Sequence, residues 1–223
     1  MSLAGRLARR RILVTGEDPE LSERLGAVFE RCGAVLDIEP ADSADGTRIA
    51  RSAARHLGGL DVLVNTGPAV IPEVGERPAA VRRGVERALE HSMALLVTTT
   101  EAALPSMNAG ASIINTAGFS AHSLVLSRGQ EALATAVLET TRGWAQALGP
   151  RGVRVNAVVG GPRWDPILEA KLDHGQRPEP VTDEEELDAF VYLASAESSH
   201  VSGSVIAVAR ALTSDELEPS TDR

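Results

Sequence analysis

The chain has 223 residues, 43% of them hydrophobic and 24% charged, with a formal net charge of −9. That size supports one α/β domain with a full core, and the acidic balance offers no basic surface to nucleic acid or an anionic membrane. A single cysteine, Cys32, excludes a disulfide framework and a cysteine metal site and suits a reducing, cytoplasmic setting, while no apolar run is long enough to cross a membrane.

Arg6, Arg9, Arg10 and Arg11 open the chain as a polar arm, because the Ile-Leu-Val that follows is too short for a signal-peptide core. The first predicted strand is Ile12–Thr15. A helical stripe of Leu21, Leu25, Val28 and Phe29 follows, then a strand over Ala34–Ile38. Pro40–Gly46 reads as a loop, and Ile49, Ala53 and Leu57 mark one short helix. A strand at Val62–Asn65 leads into the stripe Val85, Leu89, Met93, Leu96 and Val97. The strand Ser112–Asn115 leads into Leu133, Val137, Thr140, Trp144 and Leu148. A strand over Val153–Val158 precedes a breaker-rich loop at His174–Thr182. The stripe Leu187, Phe190, Val191 and Ala194 and a strand at Val205–Val208 complete the pattern. Continuous Val/Ile/Leu runs mark strands buried on both faces, as in a parallel sheet. Their alternation with helices predicts a doubly wound α/β fold. Residues 1–213 form one domain in this reading, and 214–223 a polar acidic tail.

Five collinear segments resemble the short-chain dehydrogenase/reductase family. They are "RILVTG" at Arg11–Gly16, "DVLVNTG" at Asp61–Gly67, "EAALPSM" at Glu101–Met107, "GVRVNAVVGGP" at Gly152–Pro162 and "VYLASAESSHVSGSVIAV" at Val191–Val208. The resemblance implies a Rossmann-like parallel sheet of six to seven strands. The family fits a helix, an edge strand and a further helix between its second and fourth strands. Glu39–Leu60 has room for one helix, so the third, edge strand is expected to be lost.

The family's first turn, T-G-x-x-x-G-x-G, brings backbone close to a dinucleotide pyrophosphate at a helix N-terminus. Here Gly16 remains, and Glu20 and Ser22 stand at the other two glycine positions. Glu17, Asp18 and Glu20 add three carboxylates; a like-charge contact at about 4 Å costs roughly 4 kcal/mol near a protein surface. The same residues make a good helix start, with Asp18 as cap, Pro19 in the first turn and acids complementing the dipole. Gly16 and Asn65 are the vestiges of nucleotide binding in this reading, Glu39 sits near the place of the ribose-binding acid, and no cofactor is expected.

The family's chemistry rests on Asn, Ser, Tyr and Lys, with Tyr and Lys four residues apart on one helix face. Counting from the flanking motifs, those positions hold Ser92, Ala117 (Gly118 if the loop differs by one), Gln130 and Ala134. The chain has one lysine, Lys171, and one tyrosine, Tyr192, and no Tyr-x-x-x-Lys. Other chemistry would have to use His122 with Ser120 and its neighbours Ser123 and Ser127, His91 beside Ser92, or Trp164 and Asp165 after the Gly-Gly-Pro turn, and a solvated loop histidine is the commoner fate. The histidines are scattered without a carboxylate cluster, so no metal is expected.

The two long helices, 78–107 and 128–148, match those that bury the family's subunit interface. The expectation is therefore a catalytically inactive subunit that stabilises or regulates an active short-chain dehydrogenase, for instance one handling acyl-CoA-type hydroxy or keto substrates, or else a homo-oligomer. The competing expectation is an unconventional NAD(P)-dependent oxidoreductase, or a cofactor-independent lyase or isomerase using the same cleft. Neither reading involves nucleic acid or a membrane.

Overall fold

The computed structural model describes residues 4–40, 45–67, 78–117, 128–160 and 183–208. The first unit is β1 (Arg11–Gly16), α1 (Pro19–Arg31) and β2 (Val35–Pro40). Asp18 caps α1: its Oδ1 accepts from the Leu21 N–H at 2.9 Å, and Pro19 occupies a position whose N–H has no helical partner to lose. Leu21, Leu25, Val28 and Phe29 are buried, as their spacing requires.

The chain then forms α2 (Gly46–Leu57), β3 (Leu60–Thr66) and α3 (Pro78–Ala103). Asp45 caps α2, and Gly58 ends it at φ 73°, a left-handed conformation suited to glycine. Gly46 packs directly on Thr98 and Thr99 of α3, where any Cβ would overlap a threonine hydroxyl. The close α2–α3 contact follows from that missing side chain. The helix predicted to reach residue 107 stops at Ala103. Pro105 has no N–H for a continuing helix, so Leu104–Ser106 make a single tight turn and Met107 already begins the next strand.

The remaining elements are β4 (Met107–Ala117), α4 (Arg128–Leu148), β5 (Arg154–Gly160), α5 (Asp183–Ala194) and β6 (Val205–Val208). All strand pairs are parallel, in one six-stranded sheet ordered β2-β1-β3-β4-β5-β6. β2 is the edge among the described residues, and its Val35 and Ile38 are exposed by 49% and 37%. The expected loss of the outer strand is what this order shows, because among the described residues α2 alone separates β2 from β3. Helices α1 and α5 cover one face around Phe29 and Phe190; α2, α3 and α4 cover the other around Ile49, Leu63 and Ile113. Among the described residues no helix is long and apolar enough to cross a membrane.

Two arginines secure the end of the sheet where the strands begin. Arg11 opens β1 and grips Asp61 of β3 through Nε and a terminal nitrogen, both at 2.9 Å, while its backbone N–H reaches the same carboxylate at 2.9 Å. A further nitrogen donates to the Gly58 carbonyl at 2.6 Å. These bonds hold the Asp61 carboxyl below the usual carboxylate range, the side-chain bond to Arg11 being the largest cause. Arg154 is buried, and its guanidinium donates to Ser198 Oγ at 2.8 Å and to the Leu193 and Ser195 carbonyls at 3.0 and 3.3 Å. It thereby ties β5 to the end of α5.

Candidate functional site

At the opposite end of the sheet, β1 has β2 on one side and β3 on the other, and the chain order reverses between them. Ligands of open α/β sheets bind in the crevice at such a point. The crevice here is lined by Thr15, Gly16 and Glu17 of β1 and its turn, by Asn65, Thr66 and Gly67 of β3 and the residue after it, and by Thr116 of β4. Ser92, Leu95, Leu96 and Thr99 of α3 and Leu133 and Val137 of α4 close its back wall.

Gly16 is required by geometry. It sits at φ 146°, and a Cβ there would overlap the Thr66 carbonyl. The close approach lets the Glu17 N–H donate to Thr66 O at 3.0 Å. Ser22 is buried; its hydroxyl donates to the Asp18 carbonyl at 2.7 Å and lies 3.2 Å from Thr66 Oγ1. The turn is thus packed with side chains and not left open.

The three carboxylates of this turn go different ways. Asp18 is buried as the helix cap. Glu20 is exposed in the first turn of α1. Glu17 reaches across the crevice to α3, where it accepts a hydrogen bond from the Ser92 hydroxyl, and its Oε1 lies 3.7 Å from His91 Nε2. Only Glu17 of the three lines the cleft.

Asn65 is more than a vestige. It is buried, and its amide donates to Asn115 Oδ1 of β4 at 2.9 Å and to Thr100 Oγ1 of α3 at 3.2 Å. Asn115 in turn donates to Thr141 Oγ1 of α4 at 2.9 Å, and Thr141 donates to the Val137 carbonyl at 2.8 Å. Two strands and two helices therefore meet through one buried polar chain behind the cleft. Satisfied networks of this kind fix relative position, because a member left unpaired in the interior is costly. The run Thr98-Thr99-Thr100 is the signal that went unread: three β-branched hydroxyl residues in succession are unusual inside a helix.

The residues expected at the family's reacting positions are placed as follows. Ser92 lies on α3 at the cleft and is engaged by Glu17. Ala117 is the last residue of β4. Gln130 is in the first turn of α4, and Ala134, one turn later, is half-buried against Leu133 and Val137. Tyr192 belongs to α5 and packs on the opposite face of the sheet, in the cluster around Phe29. Gly118, Ser120, His122, Ser123, Ser127, Trp164, Asp165 and Lys171 lie outside the described residues.

A nicotinamide dinucleotide can be tested against these residues. Its location at the crevice is provided, Gly16 gives the close strand approach, and Glu39 stands at the end of β2 beside Thr15, where an acid hydrogen-bonds a ribose hydroxyl. Glu39's carbonyl also accepts from Thr15 Oγ1 at 2.6 Å, which links the two strand ends. The cleft and its ribose end fit the group, so Glu39, Gly16, Asn65 and Thr116 are the residues that would hold it. The one discordant part is the pyrophosphate turn, where Glu17 crosses the opening.

Comparison with known proteins bears directly on that test. The family model described as enoyl-(acyl carrier protein) reductase matches residues 10–210. The uncharacterized oxidoreductase YhdF of Bacillus subtilis (strain 168) is 27% identical, over 92% of this chain and 84% of its own. The uncharacterized oxidoreductase YghA of Escherichia coli (strain K12) is 28% identical, over 91% of this chain and 82% of its own. Among solved structures, a short-chain dehydrogenase/reductase from Serratia marcescens superposes with a TM-score of 0.72 at 23% identity, covering 91% of this chain and 97% of that one. The expectation that no cofactor is used is overturned by these matches: the family's members normally work with NAD or NADP, and a nucleotide cofactor is what membership indicates. The expectation failed because it weighed the acidic turn as a whole, whereas two of its three carboxylates face away from the cleft. Matched over nearly its whole length and folded accordingly, the chain belongs to the short-chain dehydrogenase/reductase family.

Proposed function

We propose that this chain is a short-chain dehydrogenase/reductase subunit that does not itself carry the family's proton transfer, and that it assembles with an active dehydrogenase through α3 and α4. The observation that supports this is the composition of α4. Gln130 and Ala134 stand where a tyrosine and a lysine would share one helix face, and the chain's single tyrosine sits on the far side of the sheet. A glutamine amide has no proton to exchange near neutral pH, and an alanine cannot lower a neighbour's pKa. Meanwhile α3 and α4 keep half-buried apolar residues, among them Leu89, Met93, Val97 and Leu138. Residues of this kind become buried when a second helix pair docks on them. In this reading the nicotinamide nucleotide is a bound ligand of the subunit.

Two measurements test the proposal. The purified chain is assayed with NADH and NADPH against ketone and acyl-thioester substrates, with turnover expected to be at background. It is then co-expressed with an active short-chain dehydrogenase from the same cell and run on size exclusion, where a mixed oligomer is expected. Turnover by the chain alone sinks the non-catalytic reading. It would favour the second one, an oxidoreductase with a different proton donor, to which the names of the matched relatives point. A stable homo-oligomer that ignores the dehydrogenase sinks the heteromeric part.

A further inference from the structure

Glu17 is the only charged side chain among the described residues lining the cleft. Its backbone is pinned, since its N–H donates to Thr66 O at 3.0 Å and Gly16 before it is locked against β3. The side chain alone is free to choose a direction, and it bridges from the end of β1 to α3, ending on the Ser92 hydroxyl and beside His91. Ser92 is buried, so this contact is shielded on its α3 side. The bridge spans the stretch between Gly16 and the back wall through which a dinucleotide's diphosphate must pass to bring its two ends into one crevice.

Much of the helix N-terminus beneath is already committed. The Glu17 N–H serves Thr66, Pro19 has none, and the Leu21 and Ser22 N–H groups bond Asp18. No arginine or lysine lines the cleft among the described residues. A diphosphate entering with Glu17 in place would therefore meet both an occupied passage and a like charge, and like charges close together in a partly dry site repel strongly.

We propose that Glu17 is a gate across the nucleotide cleft, closed by its contacts with Ser92 and His91, and that it must swing out for a nicotinamide dinucleotide to bind. The motion needs only side-chain rotation, because the backbone on both sides is held. The gate lowers affinity by the free energy of the closed contact, as any binding-competent state that is only partly populated does. It stands on the geometry of the cleft and holds whether or not the chain turns over a substrate.

The test is a fluorescence titration of the full chain with NADH and with NADPH, for wild type, Glu17→Ala, Glu17→Gln and Ser92→Ala. Glu17→Ala, which removes gate and charge, is expected to tighten binding tenfold or more. Ser92→Ala leaves the carboxylate but frees it, and a threefold or greater tightening is expected. Glu17→Gln keeps a hydrogen-bonding group without the charge and should fall between wild type and Glu17→Ala. Unchanged or weaker binding in Glu17→Ala overturns the proposal. So does tightening in Glu17→Ala with none in Ser92→Ala, since charge alone would then be responsible. Failure of every variant to bind either nucleotide overturns it as well. Thermal melting of each variant confirms folding, and Ser92→Ala carries the test if Glu17→Ala does not fold.

Discussion

A carboxylate makes a contact at each end of strand β1, and the two contacts are built oppositely. Where the strands begin, Arg11 meets Asp61 with two side-chain bonds and one backbone bond on the same carboxylate. Where they end, Glu17 meets a neutral hydroxyl and the partly exposed ring of His91. A carboxylate held by a guanidinium fork is locked, because the fork satisfies both oxygens in one geometry and carries the compensating charge. A carboxylate held by one hydroxyl can exchange partners at little cost. The exchangeable contact is the one that lies in the cleft. The difference teaches that stability and access have been assigned to opposite ends of the same strand.

The largest expected effect is at the one point where the cleft end is rigid. Gly16→Ala must adopt a φ that L-residues avoid and overlap the Thr66 carbonyl, so urea denaturation should show a loss of about 3 kcal/mol or more. A loss under about 1 kcal/mol would mean that β1 and β3 can part at that end.

Next comes the locked pair. Arg11→Ala leaves the half-buried Asp61 without its fork and should cost about 2 kcal/mol in the same measurement. The pH dependence follows from the lowered Asp61 carboxyl. A carboxylate whose folded pKa is depressed adds stability that is full above the unfolded value, about 3.9, and is lost as pH falls through the folded one. Wild type should therefore lose stability below about pH 4, and Asp61→Asn should show a flatter acid limb. An identical acid limb in the two proteins would contradict the pairing.

Asp18→Ala tests the remaining carboxylate of the turn. As a cap it should cost about 1 kcal/mol, read as a drop in melting temperature, and it should leave nucleotide affinity within twofold. The smallest effect on stability is expected from Glu17→Ala, under about 1 kcal/mol, since a single partly exposed polar contact contributes little. Were Glu17→Ala to cost as much as Arg11→Ala, the contrast between the two ends would collapse and Glu17 would be a structural tie.

Much of this architecture was legible in residue order. The short apolar runs located each of the six described strands, and the span between Glu39 and Leu60, too short for two helices and a strand, announced the edge position of β2. Capping by Asp18 was legible because Asp-Pro before an apolar stripe is a local signal. The end of α3 was misread by a turn, since a helix and the tight turn after Pro105 look alike until Met107 is seen to pair. The buried chain from Thr100 through Asn65 and Asn115 to Thr141 was invisible because its members are far apart in sequence.

The same division holds at the site. Which residues are present is a property of the sequence alone: no tyrosine is followed four residues later by a lysine, and three acids follow Gly16. Which way those acids point was decided by tertiary structure. Asp18 turns inward because α1 needs a cap, Glu20 stays in solvent, and Glu17 crosses to α3 because Thr66 fixes its backbone and Ser92 offers a donor. Local propensity governs one turn of chain at a time. A side chain that bridges 75 positions of sequence is placed by packing, and packing exists only once the sheet and its helices have come together.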